Sequence, residues 1–120
     1  MRFDGSPPVI ACTDRWGRVV VVREYRWDTH IVSRHPELEG QYKAVEMAIR
    51  HPDVVKHDAT FATGEAFYRS LTEPQRYAGR YLKVCIAFSP GDRPDAYQTG
   101  EVITAYITSR IAKGERHKWP

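Results

Sequence analysis

Histidine, arginine, lysine, threonine and tyrosine are the residue types in this sequence that could do chemistry without a metal. The chain has five histidines, and histidine is the side chain whose ordinary pKa, about 6.5, lies close to neutral pH. A neutral imidazole can accept the proton of an RNA 2′-OH, and a second acid can protonate the leaving 5′ oxygen. Guanidinium and ammonium groups can stabilise the dianionic phosphorane. Because RNA supplies its own nucleophile, this inventory suits metal-free RNA cleavage.

Motifs for other chemistries do not occur in the sequence. His30 and His35 are five residues apart, whereas a helical pair of metal ligands needs four, and neither HxH nor HExxH is present. There is no P-loop, no GxGxxG and no nucleophile in a signature context. Cys12 and Cys85 lie far apart without a CxxC partner, which excludes a cysteine zinc site and a disulfide framework. We therefore expect no metal, no cofactor and a reduced, cytoplasmic protein.

Length and composition predict one folded domain. The 120 residues are 42% hydrophobic and 28% charged, which is typical of folded proteins. No apolar run approaches the length of a membrane span, about 18 residues, and residues 1–8 do not resemble a signal peptide. We expect a single domain over residues 1–120, with its core at about 18–108, a basic tail at 110–120 and no membrane partner.

The net charge of +3 comes from the second half of the chain. Residues 1–60 contain nine basic and nine acidic side chains, whereas residues 61–120 contain nine basic and six acidic ones. This mild excess permits an anionic partner such as a nucleic acid without requiring one.

The first half of the chain predicts one strand and two helices. Residues 18–23 (RVVVVR) are a β-branched run and predict a strand. Asp28 offers an N-cap for a short helix that ends near residue 34. Pro36 opens a second helix, which the His51-Pro52 step ends. The apolar face of this second helix consists of Leu38, Tyr42, Val45 and Ile49.

The second half predicts four strands, at residues 54–59, 66–71, 81–89 and from residue 100 onward, with a turn at 89–92. Helices early and strands late favour an α+β fold, with two N-terminal helices packed on a four-stranded antiparallel sheet and an extra N-terminal strand. The side chains expected to meet the helices are Leu82, Val84, Ile86, Phe88, Ile103, Ala105 and Ile107. Those expected on the opposite face are Lys83, Val102, Thr104 and Tyr106.

Several runs resemble the barnase–EndoU–colicin E5/D–RelE-like (BECR) nuclease superfamily, and most closely its phage-associated PBECR branch. The early runs are residues 27–31 (WDTHI) and 34–38 (RHPEL), and the late one is 102–106 (VITAY). Between them, PDVV, FYR and LKV, beginning at residues 52, 67 and 82, follow in the expected order. The resemblance covers about residues 26–108.

The resemblance implies metal-independent ribonuclease activity and a set of working residues. It places the family's helix-borne histidine on His30, its basic strand residue on Arg69 or Lys83, and its hydroxyl on Thr104. Tyr106, two residues further on, would position a base or a phosphate. Additional RNA contacts are expected from Arg34, His35, Tyr68, Arg80 and Tyr81.

Each candidate also has a structural alternative. His30 and Thr104 could be ordinary helix and strand residues, and His35 a turn residue before Pro36. Arg69 and Lys83 could form ion pairs on the sheet. The basic tail is expected to be a solvated end. His51 favours capping of the helix that ends there.

We therefore expect a ribonuclease of the toxin or phage-conflict type. It would cleave RNA, such as tRNA or mRNA, by 2′-OH transesterification to a 2′,3′-cyclic phosphate, and an antitoxin or immunity protein would neutralise it. The alternative is a non-catalytic module of the same fold that binds nucleic acid or protein, and a third reading is a structural accessory protein of phage or host.

Overall fold

The elements of the fold are those of a computed structural model, which describes residues 5–59, 62–89 and 98–120. The strands are β1 (Pro8–Thr13), β2 (Val19–Arg23), β3 (Val54–His57), β4 (Gly64–Ser70), β5 (Tyr81–Phe88), β6 (Thr99–Thr108) and β7 (Arg116–Trp119). The helical elements are α1 (Glu24–Arg26), a π-helix (Trp27–Val32) that continues it, α2 (Tyr42–Arg50), and short 3-10 helices at Pro36–Leu38 and Gln75–Tyr77.

The strands form one mixed sheet of seven strands in the order β1-β2-β6-β5-β4-β3-β7. The described strands pair antiparallel except for β2 and β6, which pair in parallel through residues 19–21 and 99–101. The predicted fold, two helices on a four-stranded antiparallel sheet, was therefore wrong. The parallel pair joins segments from opposite ends of the chain, a tertiary contact that no local pattern encodes.

Two strands, β1 and β7, were not predicted from the sequence. β1 opens at a proline, and β7 has the sequence RHKW, which is basic rather than β-branched. β1 pairs with β2, and β7 pairs with β3, and these pairings hold both segments in extended conformation. The expectation that the basic tail is a solvated end was wrong, because residues 116–119 form the edge strand β7 and Glu115 before it is buried.

The second helix is shorter than the periodicity predicts. The helix expected from Pro36 to His51 is broken at Gly40, whose φ of 75° lies in the left-handed region that favours glycine. A 3-10 turn precedes this break, and α2 follows it. The helix expected at residues 28–34 is a π-helix that begins one residue earlier.

The hydrophobic core lies between α2 and one face of the sheet. α2 buries Val45, Ala48 and Ile49, and it packs against β1, β4 and β5. The predicted alternation of β5 is confirmed, since Leu82, Val84, Ile86 and Phe88 are all buried on this face. Tyr42, predicted on the apolar face of the helix, is instead 42% exposed and stacks on the buried Trp27.

A β-bulge in β6 shifts which of its residues face the core. Ile86 is paired with Val102, whereas Cys85 is paired with Thr104, so that Ile103 is an extra residue. Val102 is therefore buried, and Ile103 faces away from the core, the reverse of the predicted faces. Thr104 lies on the face opposite the core, as predicted. The turn predicted at residues 89–92 falls largely outside the described residues.

Candidate active site

The helical segment after β2, which we define as α1 and the π-helix (residues 24–32) with the turn that follows them, carries three basic side chains at intervals of four residues, Arg26, His30 and Arg34. Side chains spaced by four lie on one side of a helix. Trp27 and Ile31 anchor the segment in the core, because both are buried. Its central turn is a π-helix, and π-helical turns are frequent at functional sites.

β6 forms the facing wall, and a hydrogen bond ties it to the helical segment. The Arg26 guanidinium Nη1 donates to the carbonyl oxygen of Ile103 at 3.3 Å. Ile103 is the extra residue of the bulge. Because a bulge disrupts the hydrogen-bond ladder locally, the Ile103 carbonyl points toward the helical segment. The bulge therefore places Thr104 and Tyr106 opposite the basic side of the helical segment.

A cavity of about 350 Å³ opens between these two walls. Its lining consists of Arg26, His30, Arg34, His35, Ile103, Thr104 and Tyr106. The cavity thus combines two guanidinium groups, two imidazoles and two hydroxyl groups, and no carboxylate belongs to this lining. Such a set of cations and hydrogen-bond donors favours an anion of the size of a phosphate group.

Ring contacts position both histidines. His35 stacks on Tyr106, with 5.4 Å between ring centroids and 28° between ring planes. Its Nδ1 lies 3.8 Å from Oε1 of Glu37, a carboxylate partner for a protonated imidazole. His30 meets the edge of Tyr25 at a centroid distance of 6.3 Å. Each imidazole is therefore oriented at the cavity without being buried in the core.

Lys83 lies beside Tyr106, but its charge is already paired. The Lys83 Nζ donates to Glu115 Oε2 at 2.9 Å, and the Tyr68 hydroxyl donates to Glu115 Oε1 at 2.5 Å. Burial alone would lower the pKa of Lys83, but its bonds to Glu115 and Tyr68 raise that pKa overall. Lys83 therefore stays protonated and does not act as a base. Its Nζ lies 5.7 Å from the centroid of the Tyr106 ring, so that a positive charge lies next to one of the residues that line the cavity.

Four other predicted residues lie away from the cavity. Arg69 is paired with Leu82, so it lies on the face opposite Lys83, and it donates to the backbone carbonyl of His51. Tyr68 is fully buried, and Tyr81 packs edge-on against it at 6.3 Å. Arg80 is exposed just before β5. None of the four lines the cavity, which brings together His30, Arg34, His35, Thr104 and Tyr106.

Two lining residues, Ile103 and Arg26, were not predicted from the sequence, and of these Arg26 left a signal in it. The available signal was its spacing, since it precedes His30 by the same four residues that separate His30 from Arg34. The predicted start of the helix at Asp28 hid this signal, because it left Arg26 outside the helix. The structure extends helical backbone to Glu24 and so brings Arg26 onto the same side.

The thiols contribute no nucleophile to this site. Cys12 and Cys85 are both unpaired. Burial raises the pKa of Cys85 to about 11, although the positive charge of Lys83 opposes the shift. Burial likewise raises the pKa of Cys12 to about 11. Both side chains are therefore thiols at neutral pH, although Cys85 is paired across the sheet with Thr104.

The described residues contain neither a cluster of metal ligands nor a helix that could span a membrane. Over residues 5–59, 62–89 and 98–120, no three His, Cys, Asp or Glu side chains are grouped as ligands of a metal ion. In the same ranges no helix is long and apolar enough to cross a membrane.

Compared with protein-family models, with curated proteins and with solved structures, the chain shows no match. The resemblance to the BECR nucleases therefore stays a prediction.

Proposed function

We propose that the chain is a metal-independent endoribonuclease whose active site is the cavity between the helical segment and β6. The observation that supports this most strongly is the convergence of His30 and His35 with Arg26 and Arg34 around one open cavity. Two imidazoles can serve as an acid and a base. Two guanidinium groups without a carboxylate in the same lining can hold a phosphodiester.

The proposed reaction is an attack of the RNA 2′ oxygen on the adjacent phosphorus. One imidazole, in its neutral form, accepts the 2′-OH proton as the new P–O bond forms. The other, in its protonated form, donates a proton to the 5′ oxygen as the P–O5′ bond breaks. The products are a 2′,3′-cyclic phosphate and a 5′-hydroxyl. We assign these two transfers to His30 and His35.

Charge develops on the non-bridging oxygens during this attack, and the remaining lining residues are placed to stabilise it. Arg34 and Arg26 supply fixed positive charge, and the Thr104 hydroxyl supplies a hydrogen bond. Arg26 is pre-oriented by its bond to the Ile103 carbonyl. Tyr106, already stacked on His35, offers a ring edge and a hydroxyl to the substrate.

The biological setting follows from the resemblance rather than from the cavity. We propose an RNA substrate such as tRNA or mRNA and action in the cytoplasm. A role as a toxin or phage-conflict effector would bring with it a neutralising antitoxin or immunity protein. The exposed, basic mouth of the cavity is the surface that such a protein would have to cover.

The test is cleavage of total RNA and of a tRNA pool in excess EDTA. We expect the wild-type protein to cut, and His30→Ala to cut about 10²–10⁴-fold more slowly, the usual loss for an acid–base group. Thr104→Ala should also slow the reaction, because it removes one donor to the phosphate. The matched control is His117→Ala, an exposed histidine on β7 outside the cavity, which should cut like the wild type.

The competing function, a binding module without catalysis, makes the opposite prediction. It expects RNA to remain intact with every variant while a salt-sensitive complex forms, because bound phosphates release counterions. Intact RNA in the presence of correctly folded protein would therefore replace the ribonuclease proposal with the binding one.

A further inference from the structure

A second cavity, of about 460 Å³, lies between the turn after β1, the end of α2 and β7. Its lining consists of Thr13, Asp14, Arg15, Arg50, His51, Pro52 and Trp119. It shares no lining residue with the candidate active site. Polar and cationic side chains predominate, since the lining has two apolar members, Pro52 and Trp119.

Arg15 forms a flat cationic platform in this cavity. Its guanidinium carbon lies 4.0 Å from the ring centroid of Trp119 and 5.2 Å from that of Trp16. Arg15 is exposed, and no carboxylate of the described residues pairs with it. The guanidinium is thus held against an indole ring, and its charge remains available to a ligand.

The one carboxylate in the lining of this cavity, that of Asp14, does not neutralise the platform. Its side chain is fully buried and accepts from Arg18 Nε at 2.7 Å and from the backbone N–H of Trp16 at 2.9 Å. Arg18 in turn forms two bonds of 2.8 Å with the carboxylate of Glu65 on β4. These contacts attach the turn after β1 to the sheet and so hold the backbone of Arg15 in place.

The surroundings of the platform contain further cationic side chains. Arg50 lines the same cavity, and its Nε bonds Glu46 Oε2 at 3.2 Å in an exposed ion pair. Burial lowers the pKa of His57 on neighbouring β3, and the positive charges of Lys118 and Arg116 lower it further. A cationic field at this edge of the sheet favours an anionic ligand.

We propose that this second cavity binds a single-stranded nucleic acid, with one base stacked on the Arg15 guanidinium above Trp119. Unpaired bases stack on aromatic rings and on guanidinium planes, and the adjoining phosphates bind cations and hydroxyl groups. Arg50 and the Thr13 hydroxyl are placed for such a phosphate. A protein partner fits less well, because hot spots of protein interfaces are closely packed and desolvated. The inference concerns binding alone and does not depend on the cleavage proposed for the first cavity.

The test is the affinity for a fluorescein-labelled 2′-O-methyl oligouridine, measured by anisotropy at low salt in EDTA. This probe cannot be cleaved, because its 2′ oxygen is methylated. Arg15→Ala should weaken binding at least about fivefold, the low end of what one stacked base contributes. Bound probe should also quench the tryptophan fluorescence of the wild type, and quench that of the variant less at equal saturation.

The matched control is Arg76→Ala. Arg76 is also an exposed arginine over an aromatic ring, with its guanidinium carbon 4.9 Å from the Tyr77 centroid, but it lies outside both cavities. Its loss should change the affinity by less than about twofold, within the usual range for a surface residue away from the ligand. Arg15→Lys, which keeps the charge but loses the plane, should bind more weakly than the wild type, and an unchanged melting temperature shows that it folds.

Two results would overturn the inference. One is equal affinity of the Arg15→Ala and Arg76→Ala proteins, which would assign the cavity to a ligand other than nucleic acid, such as a protein. The other is absence of any binding by the wild type at low salt. Cleavage of unmodified RNA reports on the first cavity, whereas the part of the probe affinity that depends on Arg15 reports on the second, so a failure of cleavage and a failure of this site can be told apart.

Discussion

At the scale of single residues, the stack of His35 on Tyr106 can be separated from the proton transfer that we propose for it. His35→Phe keeps a ring that can stack on Tyr106 and removes the ionisable group. We expect the free energy of unfolding to change by less than about 0.5 kcal/mol, while RNA cleavage falls about 10²–10⁴-fold. Urea denaturation and initial cleavage rates measure the two effects. Full activity of His35→Phe would show that His35 serves only to hold Tyr106.

The sequence predicted the face on which Lys83 lies, but it did not predict the residue that pairs with its charge. Its position on the face with Tyr106 was predicted from the alternation of β5. Its partner Glu115 belongs to a tail that was expected to be solvated. The side chains of Lys83 and Glu115 are 10% and 6% exposed, so that the pair is a structural ion pair beneath the cavity rather than a free cation.

Breaking this pair should destabilise the fold. Glu115→Gln leaves the Lys83 ammonium buried without its counter-charge, and we expect a loss of about 3–5 kcal/mol in the free energy of unfolding. Urea denaturation of the wild type, Glu115→Gln and Lys83→Met gives the two single effects. The double variant should lose less than their sum, because the two residues interact directly. Simple additivity would contradict the pairing.

At the scale of elements, alternation in the strands was predictable, and the bulge in β6 was not. The sequence pattern of β6 continues without interruption through residues 102–107, and nothing in it marks Ile103 as an extra residue. The bulge arises from pairing with β5 and from the Arg26 bond to the Ile103 carbonyl. The π-helix and the pairing of β7 are likewise set by tertiary packing rather than by propensity.

Gly100 at the start of β6 is a second constraint on this strand. A Cβ at this position would lie 2.7 Å from Cε1 of Phe88 and 2.8 Å from Cγ2 of Ile86. Both neighbours are buried, so Gly100→Ala should cost about 1–3 kcal/mol of unfolding free energy through overpacking. The control is Gly114→Ala, where nothing lies within 4 Å of the added Cβ. Equal thermal stability of the two variants would contradict the packing described for β5 and β6.

At the scale of the whole molecule, a chain of buried charges holds the turn after β1 onto the middle of the sheet. Arg18 bonds Asp14 beside it and Glu65 on β4, and Lys118 on β7 bonds the same Glu65 at 2.9 Å. These contacts link elements near both edges of the sheet to its interior. The sequence shows which residues are charged, but only the folded topology brings residues 18, 65 and 118 together.

This charge chain makes stability depend on acid pH. Burial by itself would raise the pKa of Glu65, but Arg18 and Lys118 lower it overall. The carboxylate therefore stabilises the fold fully above its unfolded pKa, about 4.3, and this contribution is lost as the pH falls through the lower, folded value. Glu65→Gln should be less stable than the wild type at pH 7. The difference in urea midpoint should shrink as the pH falls below about 4, and a constant difference would contradict the linkage.

The candidate site was predictable in its residue types and in five of its members. His30, Arg34, His35, Thr104 and Tyr106 all line the first cavity. The family resemblance pointed to His30 and Thr104, and strand alternation, a local property, put Thr104 and Tyr106 on one face. The sequence did not show whether Arg69 or Lys83 lies near the helical segment. Which face a strand residue occupies relative to a distant helix depends on the order and register of the strands, and the parallel pairing of β2 with β6 fixes that order.

The most direct test of the central claim is the chemistry of the RNA ends after incubation with purified protein in excess EDTA. Mass spectrometry should find 2′,3′-cyclic phosphates paired with 5′-hydroxyls for the wild type, and almost none for His30→Ala. Intact RNA, or fragments that end in 3′-hydroxyls and 5′-phosphates, would contradict the proposed transesterification.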